Sequence, residues 1–434
     1  MHKNCSFKNA KRCKKLQKDA KSQKRGMALG NKMNNQKDNQ EIYFDNAATA
    51  QADEKIIRET FQIAIDAFAN PSSTHANGIV AKKILEESRE KIAKILCCNS
   101  CEIIFTSGGT ESINLAIQGI CRALKNKGKH IITSKIEHPA VLNTCKYMET
   151  QGFEVTYLDV SKEGIVDVTE IKKSIRQDTI LITIMHANNE IGTIQPIQKI
   201  AQIAREKNIY FHTDACQSAG TLDINVQNLG VDLMSINSSK LCSLKGAGIL
   251  YVKKGVQILP LIFGGGQEFG LRSGTQNVAE IAGFAKALEN AEFKKQKTAQ
   301  KITLLRDKLI STILQKIPGA ILNGHLTQRL PNNVSISIKG IDAEALVQLL
   351  SENKIFASTG SACTSQKIET SHVLRAIGQD EEIAHGAIRF TLSTKTTEQE
   401  INTVIQILPL LVDSLQKNQI TLEPELIITN KRQK

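Results

Sequence analysis

The chain lacks any apolar run of 18 or more residues. A membrane-spanning helix needs about 20 consecutive, mostly apolar residues, so we expect no transmembrane helix and no membrane partner. Apolar residues still make up 41% of the 434 residues, an ordinary share for a globular protein. A chain of this length is predicted to bury one large core and one smaller core.

Glutamate is absent from residues 1–40, which contain ten Lys and two Arg against two Asp. This segment carries a net charge of +10, so only +3 of the total +13 belongs to the other 394 residues. The basic charge therefore lies in a tail rather than across the fold, and we expect no direct binding of nucleic acid. With few large apolar side chains, residues 1–40 are predicted to form a disordered basic extension.

The extension also lacks the apolar stretch of a secretory signal. A basic, acid-poor composition is typical of a mitochondrial presequence, although here Lys outnumbers Arg. The expected location is a mitochondrion or a mitochondrion-derived organelle. An untargeted extension on a cytoplasmic protein is the alternative.

A second C-x-x-C pair is missing beside the one formed by Cys98 and Cys101. Thiols near a turn are therefore expected there rather than a zinc site, and no intrinsic metal site is predicted. The ten Cys residues, with no secretory signal, indicate reduced thiols rather than a disulfide framework.

From about residue 53, helical periodicity alternates with short apolar runs. Seven of these runs are predicted strands, at 102–106, 130–134, 153–158, 180–185, 209–213, 232–236 and 248–252. Strands that alternate with helices predict an α/β fold with a mostly parallel sheet between helices, which binds ligands beyond the carboxyl ends of its strands. We predict a large domain over 41–300, a smaller α+β domain over 301–416, and a tail over 417–434. Residues 41–55 are candidates to pack with the small domain.

Lys240 follows one of the predicted strands, 26 residues after Asp214 and 23 after Gln217. A lysine, a carboxylate and an amide in this order are the parts needed to hold pyridoxal phosphate (PLP). The lysine forms a Schiff base, and the carboxylate keeps the pyridine nitrogen protonated. A lone lysine is usually a solvated surface charge, so the prediction depends on the rest of the site.

The other residues of the predicted site follow other predicted strands. Gly109 and Thr110 lie between a predicted strand and a helix, where backbone N–H groups attract a phosphate. His138 follows the second strand; it is either structural or able to stack on the pyridine ring and shuttle protons. Asn189 and Gln217 are amides that can hydrogen-bond the ring hydroxyl.

Two further candidates lie in the small domain. Cys363 is flanked by Ser, Ala and Thr in a glycine-containing loop, which favours a reactive nucleophile over a buried apolar thiol. Arg389 lies on the predicted strand AIRFTL and either clamps a substrate carboxylate or forms a structural ion pair.

Most of these residues lie within motifs that resemble those of one enzyme family. The motifs are YFDNAAT (43–49), NPSSTHANG (70–78), FTSGGTESINLAI (105–117), EHPAVL (137–142), MHANNEIGTIQPI (185–197), HTDACQS (212–218), GGGQEFGLRSGT (264–275) and TGSACTS (359–365). Over residues 41–405 the chain resembles cysteine desulfurases of the NifS/IscS type, within the class V aminotransferase-like PLP enzymes. The resemblance implies the type I fold of PLP-dependent transferases.

The resemblance also implies a role for each matching residue. Lys240 would be the Schiff-base lysine and His138 the stacking and proton-transferring residue. Cys363 would take sulfur from L-cysteine as a persulfide, leaving L-alanine. The remaining roles are PLP binding at Gly109, Thr110, Asn189, Asp214, Gln217, Asn237, Ser239 and Thr275, and substrate binding at Asn189 and Arg389. Thr275 is expected to reach the phosphate in the other subunit of a homodimer.

The implied sulfur acceptor is an IscU-like iron–sulfur scaffold protein, with tRNA thiolation as a second destination. Cys363 is then able to contribute to a cluster through the scaffold partner. Alternatives are selenocysteine lyase, another class V activity, or a catalytically weakened regulatory subunit.

The chain departs from the family pattern near the cofactor. Ser239 replaces a histidine before the lysine, Asn237 replaces a serine, the family's Gly-Pro-Lys-Gly turn is Ser243-Leu244-Lys245-Gly246, and Phe269 replaces an arginine. The changes at Asn237, Ser239 and the Leu244 turn lie around the phosphate. They predict weaker PLP binding with retained activity, because one charged hydrogen bond is worth about 1.5–3 kcal/mol.

Overall fold

A computed structural model describes residues 41–360 and 370–420 of the chain. The predicted extension (1–40), Cys363 and the predicted tail from residue 421 lie outside the described residues. A two-residue strand, β1 (Ile42–Tyr43), comes first.

A seven-stranded sheet forms the larger part of the fold. Its strands are β2 (Ile103–Thr106), β3 (His130–Ser134), β4 (Glu154–Leu158), β5 (Thr179–Thr183), β6 (Tyr210–Asp214), β7 (Leu233–Asn237) and β8 (Gly248–Val252). They lie in the order β2-β8-β7-β6-β5-β3-β4. All neighbours from β7 to β4 pair in parallel, whereas β8 is antiparallel to both β2 and β7. The predicted mostly parallel seven-stranded sheet is therefore confirmed.

Helices cover both faces of this sheet. They are α1 (Glu54–Asp66), α2 (Ala76–Leu96), α3 (Gly109–Leu124), α4 (Pro139–Thr150), α5 (Val168–Ser174), α6 (Ile197–Glu206), α7 (Val226–Leu229) and α8 (Val278–Lys316). Successive strand residues point to opposite faces: Phe105 packs in one apolar core with α2, α6 and α8, whereas Ile104 packs with α3 and α4. Burial on both faces explains why most of these strands contain adjacent apolar residues rather than a strict apolar–polar alternation.

The smaller part of the fold is built from the remaining elements. They are β9 (Ala320–Leu322), β10 (Asn333–Ile338), α9 (Ala343–Glu352), β11 (Ile355–Phe356), β12 (Ser358–Thr359), α10 (His372–Ala376), α11 (Glu381–His385), β13 (Ala387–Thr391) and α12 (Glu398–Ile420). Antiparallel strands in the order β12-β13-β10-β9 make its sheet, and β1 pairs with β11.

A separate apolar core holds this smaller part together. Ile42 and Phe44 join it beside Phe390 of β13 and Leu309 of α8. The domain boundary predicted at residue 300 falls inside α8, whose Phe284 packs in the first core and whose Leu309 packs in the second. The predicted tail at 417 begins within α12, which continues to Ile420. Among the described helices, none is both long and apolar enough to cross a membrane.

Candidate active site

One edge of the seven-stranded sheet collects the carboxyl ends of its parallel strands. β2 shares the direction of β7, because both are antiparallel to β8. Gly109, His138, Asn189 and Lys240 come shortly after β2, β3, β5 and β7, and Asp214 is the last residue of β6. Residues predicted from separate motifs therefore meet at one edge, as expected for ligand sites in such sheets.

The Lys240 ammonium points at the segment after β1. It donates hydrogen bonds to the carbonyl oxygens of Ala47, at 2.8 Å, and Ala48. The side-chain amide of Gln217 donates to the same Ala47 oxygen, at 2.9 Å. Ala47 was not a predicted site residue, although its motif YFDNAAT was recognised, because an apolar side chain gives no sign that its carbonyl is used.

Asp214 and Lys240 both influence His138. Burial lowers the pKa of His138, and the Lys240 charge lowers it further, while the Asp214 charge opposes the shift. His138 Nδ1 accepts a hydrogen bond from the Ala140 backbone N–H at 3.1 Å. At neutral pH the ring is therefore neutral, with its proton on Nε2.

Arg389 lies on β13 and is only 2% exposed. Its guanidinium donates from Nη1 to the Asn189 carbonyl at 3.0 Å and from Nη2 to Asp45 Oδ1 at 2.9 Å. The buried Nε has no hydrogen-bond partner within residues 41–360 and 370–420. A donor of this kind suits a substrate carboxylate, so the predicted clamp and the structural ion pair share one side chain.

Glu190 follows Asn189 and contacts both ends of the segment that contains Cys363. Its carboxylate accepts a hydrogen bond from Ser371 Oγ at 2.5 Å, and a Cβ on Gly360 would lie 2.9 Å from its Oε2. Burial raises its pKa to about 7, while the Ser371 hydrogen bond and the Arg389 charge oppose the shift. The sequence did not indicate this residue, because its partners are remote in sequence.

A cavity of about 240 Å³ lies at the turn between β2 and α3. The residues that line it are Ser107, Gly108, Gly109, Thr110, Glu111, Asn237, Ser239, Lys245 and Gly246. At Gly108 the backbone has φ +152°, and a Cβ on Gly109 would lie 2.6 Å from Cys216 Sγ. Glycines therefore let the N-terminus of α3 border the cavity, where unpaired N–H groups attract an anion.

Asn237 and Ser239 border the same cavity from the end of β7. The Ser239 backbone N–H donates to Asn237 Oδ1 at 3.3 Å, which leaves the Asn237 NH₂ group as a donor for the cavity. The sequence did not predict Lys245 as a residue of this cavity. Its turn was mentioned only because Leu244 differs from the family pattern.

Thr275 is exposed and does not line this cavity of its own chain. Its neighbour Arg272 binds Glu111 on α3, with 2.9 Å between Nε and Oε1. Nearby, Glu268 is buried against Arg89, and Phe269 places its ring 5.1 Å from the Arg89 guanidinium carbon. The segment before Thr275 is therefore held firmly, while Thr275 itself faces outward.

Comparison with known proteins agrees with this architecture. The family model of aminotransferase class-V matches residues 42–404. The chain belongs to the aminotransferase class-V family. Among the curated members, cysteine desulfurase IscS of Dictyoglomus turgidum is 49% identical over 375 residues, which cover 86% of this chain and 95% of the relative. The corresponding protein of Methanosarcina thermophila is 47% identical over 388 residues, covering 89% and 96% of the two chains. A solved structure described as a NifS-like protein is 40% identical, with a TM-score of 0.82 and coverage of 87% of this chain and all of the other.

Members of this family use PLP, and the described residues fit that cofactor. The glycine turn and the start of α3 border a cavity of about 240 Å³, where backbone N–H groups can bind a phosphate. The carboxylate of Asp214 lies at the edge beside Lys240 and His138, as a protonated pyridine nitrogen requires. Lys240, Asp214, Asn237 and Ser239 would therefore hold PLP, with the N-terminus of α3 at its phosphate.

Proposed function

We infer that the chain is a PLP-dependent cysteine desulfurase that acts in sulfur transfer for iron–sulfur assembly. The observation that carries this conclusion is the meeting of Lys240, Asp214, His138 and Arg389 at one sheet edge. An anion cavity lies at the same edge, and Glu190 lies next to Gly360 and Ser371, the described residues on either side of Cys363.

Each described side chain has a definable task in this reaction. Arg389 binds the carboxylate of L-cysteine, with Asp45 holding its guanidinium in place. His138 presents its Nε2 proton to the site, because Nδ1 is occupied by the Ala140 N–H. When bound, PLP supplies the electron sink that eases removal of the substrate α-proton.

Sulfur leaves the substrate through Cys363. The Cys363 thiolate attacks the substrate sulfur, so an S–S bond forms while the Cβ–S bond breaks. The bonding electrons stay with the substrate carbon, which takes up a proton, and L-alanine is released. Cys363 retains the sulfur as a persulfide, and no external oxidant or reductant is needed.

We further propose an IscU-like iron–sulfur scaffold protein as the sulfur acceptor, with tRNA thiolation as a second destination. The nearly complete overlap with cysteine desulfurases named IscS supports this proposal. An address in a mitochondrion or a related organelle is proposed from the composition of residues 1–40, with the cytoplasm as the alternative.

We also propose a homodimer. Phe61, Ile65 and Phe68 share one face along and just past α1 and are 59%, 69% and 73% exposed in the single chain. Phe263 and Phe269 add further exposed apolar area next to the segment that leads to Thr275. Large exposed apolar side chains of this kind are typical of an interface.

The test is release of L-alanine, and of sulfide once an added reducing thiol such as dithiothreitol cleaves the persulfide, from L-cysteine by wild-type protein and by Cys363→Ala. We expect the wild type to release both products. The variant should lose sulfide release by at least about a hundredfold, because no thiolate takes the sulfur. Cys101→Ala, which changes an exposed thiol outside the site, is the matched control and should keep wild-type rates.

An unchanged rate in Cys363→Ala would contradict its role as sulfur carrier. The second candidate, a weakened regulatory subunit, is favoured by Ser239 and Phe269 in place of the family's histidine and arginine. It predicts a wild-type protein that binds PLP but releases no sulfide. Faster turnover of L-selenocysteine than of L-cysteine would favour a selenocysteine lyase.

A further inference from the structure

The cavity at the start of α3 contains one full positive charge. Among the described residues that line it, Lys245 is the only cationic side chain. Glu111 is the only acidic one, and its carboxylate is already paired with Arg272, at 2.9 Å between Nε and Oε1. The Lys240 ammonium is directed to the carbonyls of Ala47 and Ala48 instead.

The turn that carries Lys245 is fixed at both ends by Ser238. Ser238 Oγ donates to the Leu244 carbonyl at 2.7 Å, and the Ser238 backbone N–H donates to the Ala247 carbonyl at 3.1 Å. Gly246, with φ +106°, allows the tight reversal between these two bonds. Lys245 is therefore held near Ser239 by backbone geometry rather than by side-chain packing.

A close backbone approach brings the same turn to the glycines of the cavity. A Cβ on Gly248 would lie 2.6 Å from the Gly108 Cα, and one on Gly109 would lie 3.5 Å from Asn237 Cβ. The β7–β8 hairpin and the β2–α3 turn thus share one small space, with Lys245 at its rim.

We propose that Lys245 is a binding residue for the PLP phosphate and supplies the positive charge that Ser239 cannot provide. The inference rests on the proposed function, because it assumes that PLP is the ligand bound in this cavity. Asn237, Ser239 and the backbone N–H groups of α3 are neutral donors, and an ammonium makes a stronger, charge-assisted hydrogen bond to phosphate. Lys245 therefore adds a charged contact to a cavity whose other donors are neutral.

Lys245 is exposed, so its contribution is screened by salt. This property separates a charge contact from a packing effect. Pyridoxal gives a second way to distinguish a phosphate contact from a packing effect. It forms the same bond with Lys240 as PLP does but carries no phosphate. Loss of a phosphate contact weakens PLP and leaves pyridoxal unaffected.

The experiment measures dissociation constants of PLP and pyridoxal for the full-length protein after removal of bound PLP, by absorbance titration. In Lys245→Gln we expect PLP binding about five- to tenfold weaker, as for one partly screened charged contact. Lys245→Arg should bind within about threefold of wild type. Pyridoxal binding should be equal in all variants. Raising NaCl from about 50 to about 500 mM should weaken PLP binding more in wild type than in Lys245→Gln.

Lys254→Gln is the matched control, because Lys254 is an exposed lysine just beyond β8 that does not line the cavity. It should bind PLP as the wild type does. Equal PLP affinity in wild type and Lys245→Gln would overturn the proposal, and so would an equal loss for PLP and pyridoxal. If the wild type binds no PLP, the proposed function fails with it. If the wild type binds PLP and only the Lys245 effect is missing, the proposed function stands and this assignment alone falls.

Discussion

Glu137 is a carboxyl group with no solvent exposure, next to His138. Burial raises its pKa to about 8, and the nearby Asp214 charge adds to the shift. Ser134 Oγ donates to it at 2.7 Å, and the Met185 N–H donates at 3.0 Å, both of which oppose the shift. At neutral pH the group is therefore largely protonated, and it does not compete with Asp214 as a second negative charge beside PLP.

The raised pKa predicts a pH dependence of stability. Between pH about 4.5 and about 8 the folded protein holds a proton on Glu137 that the unfolded chain has lost. This contribution to the free energy of unfolding is complete below about pH 4.5 and is lost as pH rises through about 8. Glu137→Gln removes the titration and keeps the size and an acceptor oxygen. We expect its stability relative to wild type to rise by up to about 1.4 kcal/mol per pH unit across this window.

Urea unfolding of both proteins from about pH 5 to about pH 9 measures this difference. Glu90→Gln, which changes an exposed carboxylate on α2, is the control and should leave the pH profile unchanged. Parallel profiles for wild type and Glu137→Gln would show that Glu137 has an ordinary pKa.

Arg389 forms a structural ion pair, and the proposed clamp for the substrate carboxylate uses the same side chain. Asp45 pairs with its Nη2 and the Asn189 carbonyl accepts from its Nη1, so the guanidinium plane is fixed before substrate arrives. A preformed orientation lowers the conformational entropy lost on binding. The two interpretations of Arg389 that the sequence left open are thus compatible.

At the scale of the secondary-structure elements, the turn between β2 and α3 requires a small residue at Gly109. The position of Gly109 is limited by Cys216, whose Sγ would be 2.6 Å from an added Cβ. Cys216 follows β6, and its backbone N–H donates to Asp214 Oδ1 at 2.9 Å. The Gly109 turn and Asp214 are therefore connected through this one residue, by its side chain on one side and its backbone N–H on the other.

We predict that Gly109→Ala lowers stability by about 1–3 kcal/mol, the usual cost of overpacking, and weakens PLP binding. Adding Cys216→Ala to the same chain removes the clashing sulfur and should restore most of both losses. Thermal unfolding and PLP titration of the two single variants and the double variant measure the coupling. Additive effects of the two substitutions would contradict direct contact between these elements.

The elements themselves were predictable because most of the seven strands contain a short apolar run between helical stretches. Strand order was not, because pairing depends on crossovers between remote segments; the antiparallel β8 is an example. Lys240 and Asp214 were found because their side chains carry the chemistry. Ala47 and Glu190 were missed because their contributions are a carbonyl and a buried hydrogen bond to Ser371, which only the folded chain reveals.

At the scale of the whole molecule, two apolar cores are joined by α8 and by the segment after β1. Asp45 and Ala47 lie on that segment, next to Arg389 and Lys240 respectively. The candidate site therefore lies where the two cores meet, and it draws on residues from both parts of the chain. Thr275 is the predicted exception, because it faces outward from its own chain.

In the proposed homodimer, Thr275 contacts the PLP phosphate bound in the other subunit. Purified heterodimers can test this contact. In the first arrangement, one subunit carries Lys240→Ala and the other carries Thr275→Val. The subunit that keeps Lys240 then receives an intact Thr275 from its partner. We expect wild-type PLP affinity at that site, measured by the absorbance of lysine-bound PLP.

In the second arrangement, both substitutions are on one subunit and its partner is wild type. The only site with Lys240 then lacks the partner's hydroxyl. PLP should bind there about tenfold or more weakly, because one hydrogen bond to a charged phosphate is lost. If Thr275 acts within its own chain, the order of the two affinities reverses, since the first arrangement would then join the intact lysine to the altered threonine. Equal PLP affinities in the two arrangements would show that Thr275 does not contribute to PLP binding. A protein that is purely monomeric in solution would contradict the proposed homodimer itself.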